Sequence, residues 1–281
     1  MYAIRSLTRV DELKWVMDLQ RLVYGDDDHR QMALYTLIDF TRNGGHIIGA
    51  FDGNLLVGFL VAFFGTNSRD SRRPAMANLK LVISRVGVHP DYRNSGAATQ
   101  MIGRFIEIAD QQGVRLATYT FNPLGSREAY LLIRKLGAIG KVFTPGYYGD
   151  EDGLVAELWL TQNRVRQRLM GEQRSHLSLD HYLEANTPIL NIPEVEPDTR
   201  KILPYPHDIA VADSTMLLLE IPAEVEMMAD LEAWQRHIRT ILLTVLQHGY
   251  VVTDFLHENY EGRPRAFYVL SFDGPRFVVD L

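Results

Sequence analysis

The residues with the most to offer chemically lie in one stretch, Val82–Thr99, which reads Val-Ile-Ser-Arg-Val-Gly-Val-His-Pro-Asp-Tyr-Arg-Asn-Ser-Gly-Ala-Ala-Thr. Its β-branched run predicts a strand that stops at His89-Pro90. A polar turn carrying Arg93 follows, and the small residues Ser95, Gly96, Ala97 and Ala98 open an amphipathic helix. The first turn of a helix has unpaired main-chain N–H groups and a partial positive charge, so this junction suits an anion such as phosphate. Neither the Gly-Lys-Ser/Thr ending of a Walker loop nor a dinucleotide-type Gly-x-Gly-x-x-Gly is present.

The whole chain narrows the setting. Its 281 residues suit one large domain or two small ones, and 46% hydrophobic with 23% charged residues is ordinary for a globular protein. A net charge of -6 argues against a general attraction to nucleic acid or anionic membrane. The absence of cysteine excludes disulfides, thiolate catalysis and cysteine–zinc sites. Met-Tyr-Ala-Ile-Arg-Ser-Leu lacks a signal-peptide pattern, and the apolar run Leu55–Phe64 is too short to span a bilayer. A cytoplasmic location is expected.

The elements that must position Val82–Thr99 can be read in order. Tyr2–Leu7 alternates as a strand, and Thr8–Asp11 fits a capping box before a helix with Val10, Leu13 and Met17 on one face. A second helix is predicted over His29–Thr41, stopped by Asn43-Gly44-Gly45. His46–Phe51 and Leu55–Phe64 form a hairpin, Asn67–Asn78 is an Arg-rich loop, and Asn78–Val88 is the strand into the turn. Helix Gly96–Gln112, strand Arg115–Phe121, helix Ser126–Leu136 and strands Ala138–Phe143 and Leu154–Leu160 complete a mixed sheet with helices on both faces. Five prolines from Pro188 to Pro206 predict a stiff connector without regular structure. Met216–Ile221, Glu226–His248, Tyr250–Leu256 and Arg265–Phe272 then form a smaller β-α-β-β unit. The expected division is 1–165, a connector at 166–206, and 207–281 packed on the first part.

Arg93, Gly96 and Ala98 fill the pattern Arg/Gln-x-x-Gly-x-Gly/Ala, and the surrounding strand–turn–helix resembles motif A of the GNAT-type N-acyltransferases. Thr120-Phe-Asn-Pro-Leu-Gly through Lys-Leu-Gly-Ala138, Tyr147-Tyr-Gly149 and the segments Leu218–Ala223 and Gly249–Phe255 are similar to a bacterial subgroup of predicted acetyltransferases. The resemblance implies a GNAT-like α/β fold and acetyl-CoA (or coenzyme A) as co-substrate. It implies that the amides of Arg93, Asn94, Ser95, Gly96, Ala97, Ala98 and Thr99 bind the pyrophosphate, while the main chain at Val86 and Val88 pairs with the pantetheine arm. Asn122 either hydrogen-bonds pantetheine or caps the turn before Pro123. The family's tyrosine acid is replaced by Ile133, its motif-opening Asn by Ser126, and the subgroup's His-Ser-His by Val82-Ile83-Ser84.

Acyl transfer from a thioester requires a polarised carbonyl, a deprotonated amine and a stabilised thiolate. Ser84 and Arg85 lie on the strand entering the site, one toward substrate and the other toward the core. Tyr148, with Tyr147, either supplies a phenol acid or packs at a sheet edge. Tyr130 stands three residues before position 133 and so faces about 300° around an α-helix. His89 suits a structural role in its turn. His176, Asp180 and His181 lack metal-ligand spacing, so no metal is expected. The expected activity is direct acetyl transfer to a small amine, with Tyr148 and Ser84 as catalytic candidates; the alternative is a non-catalytic acyl-CoA-binding sensor or structural module. Residues 207–281 either wall the acceptor side or form a homodimer contact.

Overall fold

The computed structural model describes residues 2–26, 29–67, 78–169, 171, 177–199, 201–204 and 214–274. The protein is a mixed α/β chain that clusters into two compact units, Met1–Tyr119 with Trp159–Gln162, and Thr120–Leu158 with Asn163–Leu281. Arg69, Arg72, Arg73 and His176 lie outside the described residues.

In the first unit the strands β1 (Ala3–Ser6), β2 (His46–Asp52), β3 (Leu55–Thr66), β4 (Leu79–Val88) and β5 (Leu116–Phe121) stand in that spatial order. Three helices flank them: α1 (Val10–Tyr24), α2 (Leu34–Arg42) and α3 (Ala97–Gln111). Strand alternation assigns the faces. Phe59 joins Leu13, Val16, Leu19 and Leu37 in the α1/α2 core, whereas a Cβ on neighbouring Gly58 would lie 2.9 Å from the Met101 methyl of α3.

Two sequence expectations need adjustment here. The capping box at α1 is shifted by one residue, because Glu12 Oε2 accepts from the amides of both Thr8 and Arg9. The helix expected from His29 begins at Leu34 instead. The buried Gln20 amide holds Met32 through both its N–H and C=O (3.1 and 2.8 Å), and Arg85 Nε donates to the Arg30 carbonyl at 2.8 Å. These contacts fix the segment before α2 as a loop.

The second unit orders its strands β7 (Gly153–Trp159), β6 (Ile139–Thr144), β11 (Tyr250–Tyr260), β12 (Arg263–Phe272) and β10 (Met216–Ile221). The expected β-α-β-β module is therefore joined to β6, through Val252 opposite Gly140. Strand β11 runs four residues past the expected Leu256, because Glu261 and Gly262, with φ of 51° and 79°, make the tight turn into β12. Helix α7 (Leu231–Gln247) buries Trp234, Ile238, Ile241, Leu242 and Val245, so the Trp234 stripe is core as its spacing indicates.

The proline-rich segment is more ordered than its composition suggests. Helices α5 (Asn163–Leu169) and α6 (Leu179–Glu184) precede it, and β8 (Glu194–Val195) pairs with β9 (Ile202–Leu203) within it. Pro188 to Asn191 runs along β10: the Leu190 amide donates to the Leu218 carbonyl, and the Leu218 amide to the Pro188 carbonyl, each at 2.8 Å. The Asn191 side chain completes this pairing on both main-chain groups of Glu220 (2.9 and 2.8 Å). No described helix is long and apolar enough to cross a membrane.

Candidate functional site

The strand leading into the anion turn carries an irregularity that the sequence did not announce. Pairing of β4 with β3 jumps from Ile83 opposite Ala62 to Arg85 opposite Val61, which leaves Ser84 as the extra residue of a β-bulge. On its other side β4 pairs in parallel with β5 at Leu81–Ile83 alone among the described residues. Past the bulge, the main chain of Val86 and Val88 continues on the β3 side without a described β5 partner. This is the strand geometry needed to offer backbone groups to an extended ligand. Tyr24, at the end of α1, donates to the Val86 carbonyl at 3.4 Å.

The bulge corrects the simple alternation expected for Ser84 and Arg85. Arg85 folds back on its neighbour, its Nη1 donating to the Ser84 carbonyl at 2.7 Å and standing 3.5 Å from Ser84 Oγ. Ser84 thus receives a guanidinium N–H and has no base as a described partner.

At the end of β4 the His89 amide donates to the Val57 carbonyl, and His89 Nδ1 accepts from the Asp91 amide at 3.3 Å. His89 therefore caps the short 3-10 turn Pro90–Tyr92, the structural role its position suggested. The next residues curl by alternating backbone handedness, with Asn94 at φ 60° and Gly96 at φ 87°. Ser95 Oγ donates to the Tyr92 carbonyl and ties the curl. Such an alternation turns successive N–H groups toward one concavity, an anion-binding nest.

Among the described residues, the main-chain N–H groups from Asn94 to Thr99 donate to no protein acceptor, whereas the Gly96 carbonyl already accepts from Gln100 at 3.0 Å. Six orphan donors at the start of a 15-residue helix form a strong partial positive charge. Exposed Arg93 adds a full one. Ala97 is buried and small, and the backbone of Gly96 is open to approach. The donor set fits a pyrophosphate.

The remaining candidates lie in the second unit. Asn122 Oδ1 accepts from the Leu124 amide at 2.9 Å, so its carbonyl end caps the Pro123 turn. Tyr268, fully buried, donates its hydroxyl to the Pro123 carbonyl at 2.7 Å, and burial pushes its phenol well above the usual range.

Tyr147 and Tyr148 sit edge-to-face on each other with centroids 4.7 Å apart, both about half exposed. Their turn is closed by the Tyr148 amide on the Glu151 carbonyl (3.1 Å) and the Gly146 amide on Asp152 Oδ1 (2.9 Å). A Cβ on Gly153 would lie 2.7 Å from Tyr147 Cβ, so glycine is required where this turn enters β7.

The helix expected over Ser126–Leu136 is α-helical only at its start, α4 (Ser126–Ala129), and continues as a π-helix over Tyr130–Lys135. The Leu136 amide reaches the Leu131 carbonyl, and Arg168 Nη1 takes the released carbonyls of Ile133 and Arg134. The 300° argument for Tyr130 therefore fails, since the step per residue is smaller in the widened turn. Tyr130 packs edge-to-face on His257 at 6.3 Å. Ile133 is fully buried, so no acid stands at that position.

Arg168 belongs to a cluster with Arg134 and Arg164 around Asp254, in which Arg134 Nη1 lies 2.6 Å from Asp254 Oδ2. Burial, then the neighbouring Arg168 charge, lowers Arg164 to about 10. No spacing in the sequence signalled these contacts. His181 accepts from the Ser178 amide through Nδ1 at 3.1 Å as the reciprocal partner of an N-cap.

Residues 10–137 match the family model described as Acetyltransferase (GNAT) family. No curated protein matches the chain. Among solved structures, the ribosomal-protein-S18-alanine N-acetyltransferase of Escherichia coli is 14% identical, with a TM-score of 0.46, over 58% of this chain and 96% of that one. The Salmonella typhimurium protein yncA, solved with its cofactor acetyl-CoA, is 14% identical with a TM-score of 0.45, over 58% and 96%. An N-acetyltransferase from Staphylococcus aureus is 16% identical with a TM-score of 0.44, over 57% and 99%.

Proposed function

We propose, from the match of residues 10–137 to the GNAT acetyltransferase family model, that the protein transfers an acetyl group from acetyl-CoA directly to the nitrogen of a small-molecule amine. The observation that carries the reading is the row of orphan N–H groups at Asn94–Thr99 opening α3. Bound acetyl-CoA supplies an activated thioester. Arg93 and the amides through Thr99 hold the pyrophosphate, and the β4 main chain at Val86 and Val88 aligns the pantetheine arm. Placement of this kind contributes much of the acceleration in a ternary complex.

The amine nitrogen bonds to the acyl carbon as the carbon–sulfur bond breaks; the amine loses a proton and the thiolate gains one. Tyr148 is proposed as the acid toward the thiolate, and Ser84 as a polar group beside the attacking amine. With no cysteine, the chain forms no thioester of its own. Residues 1–165 are proposed as the acyl-CoA-binding part, 166–206 as the connector and 207–281 as a part that walls the acceptor side or forms a homodimer contact, in a cytoplasmic protein.

A second reading, an acyl-CoA-binding module without transfer, is favoured by one observation, buried Ile133 at the family's usual tyrosine position. Thermal-shift titration with acetyl-CoA and coenzyme A, followed by thiol release across an amine panel, tests both. Stabilisation with thiol release supports transfer, and stabilisation without it supports the module. No stabilisation overturns both.

A further inference from the structure

The geometry points to Arg239 as the positioning residue of the turn that carries Tyr147 and Tyr148. This inference rests on the reading of Tyr148 proposed above. Asp152 ends that turn and is only 5% exposed. Both of its oxygens are engaged: Oδ1 by the Gly146 amide at 2.9 Å and by Arg239 Nη2 at 2.8 Å, Oδ2 by Arg239 Nε at 3.0 Å. A bidentate guanidinium–carboxylate pair fixes orientation as well as distance, which an ammonium does not.

Arg239 can act as an anchor because α7 is itself immobilised. Trp234, Ile238, Ile241, Leu242 and Val245 are fully buried, and the Trp234 indole N–H donates to the Ile202 carbonyl at 3.0 Å. Two other contacts of the turn are local to it, the Tyr148 amide on the Glu151 carbonyl and the Gly149 amide on the Gly146 carbonyl, each at 3.1 Å. Gly146 and Gly149 have positive φ, and Asp150 and Glu151 are exposed. The carboxylate thus links the glycine-containing turn to a buried helix through a residue 87 positions later in the chain. Because Asp152 directly precedes Gly153, and Gly153 abuts Tyr147, the pair sets where the two phenols point.

Amide hydrogen exchange over residues 145–153 of the full chain, with no ligand added, tests the clamp. Arg239→Met is expected to speed exchange there by about tenfold or more while α7 and β11 keep their protection, and Arg239→Lys to recover only part of it. In thiol-release assays with acetyl-CoA and the best amine of the panel, Arg239→Met should lower kcat by about tenfold with the acetyl-CoA KM within about twofold. Adding Tyr148→Phe to that background should cost much less than it does alone, since both act through one phenol.

Unchanged exchange, full recovery with lysine, or unchanged kcat would overturn the assignment. If Arg239→Met does not fold, isosteric Asp152→Asn gives the same readouts. Wild-type protein that releases no thiol with any amine refutes the transferase reading, and the exchange result then judges the clamp alone.

Discussion

The anion cradle at Asn94–Thr99 is shaped by its own backbone, through Asn94 and Gly96 in left-handed conformation and the start of α3. The Tyr147–Tyr148 turn is held instead by Asp152 and by Arg239, 87 residues away. The cradle is local in sequence and set by its own backbone; the tyrosine turn depends on a side chain of the C-terminal segment. The comparison teaches that donor binding and transfer chemistry should fail independently.

The sharpest break is Gly96→Glu, which places a carboxylate among the orphan amides and forces a side chain into φ 87°. It should abolish any thermal shift with coenzyme A; retained binding would mean that the nest is not the pyrophosphate site. Gly96→Ala isolates the backbone contribution, because its Cβ would meet nothing nearer than Gln100 Nε2 at 3.7 Å. It should cost about 1–2 kcal/mol of stability by denaturant titration while coenzyme A binding persists. Tyr148→Phe addresses the other half: kcat should fall about 10²–10⁴-fold with coenzyme A affinity unchanged in calorimetry.

Smaller effects sharpen the contrast. Tyr268→Phe strands the Pro123 carbonyl in the second unit and should cost about 1–3 kcal/mol in urea unfolding. The first unit has its own marker in His46, whose rings of contact are Phe64 and Phe105 at 6.0 and 6.1 Å. Burial lowers its pKa below the usual 6.5, partly offset by a hydrogen bond with the Gln112 side chain. Below 6.5 the unfolded chain therefore takes up a proton that the folded state resists, so stability falls as pH drops through that range. A urea midpoint that declines from about pH 7.5 to about pH 5 in wild type, and less steeply in His46→Leu, is the expected result.

What the sequence revealed follows the same divide. The strand–turn–helix at Val82–Thr99, the β2–β3 hairpin, α3 and the Trp234 face of α7 are legible because period, glycine position and turn chemistry act over a few residues. The β4 bulge at Ser84 was not, since a register shift belongs to a pair of strands and Val82–Val88 alternates no differently with or without it. The π-helix was hidden for a similar reason. Its freed carbonyls at Ile133 and Arg134 are satisfied by Arg168, 34 or 35 residues downstream. The end of β11 is not legible locally, since His257, Glu258 and Asn259 are polar and the turn at Glu261-Gly262 carries the hairpin through them. The proline count was a true signal read too broadly: prolines stop helices and central strands, and they leave edge pairing open.

That edge pairing has a consequence for assembly. A terminal strand normally offers a ladder of unused main-chain groups that invites a foreign chain to add on, in a dimer or in an aggregate. Along β10 that invitation is withdrawn. Ser214 takes the amide and carbonyl of Met216 (3.4 and 2.9 Å), Pro188 and Leu190 take those of Leu218, and Asn191 takes those of Glu220. The connector thus acts as a built-in decoy strand, closing this border to sheet extension. Two copies of the chain would have to meet through side-chain surfaces rather than by joining their sheets at β10.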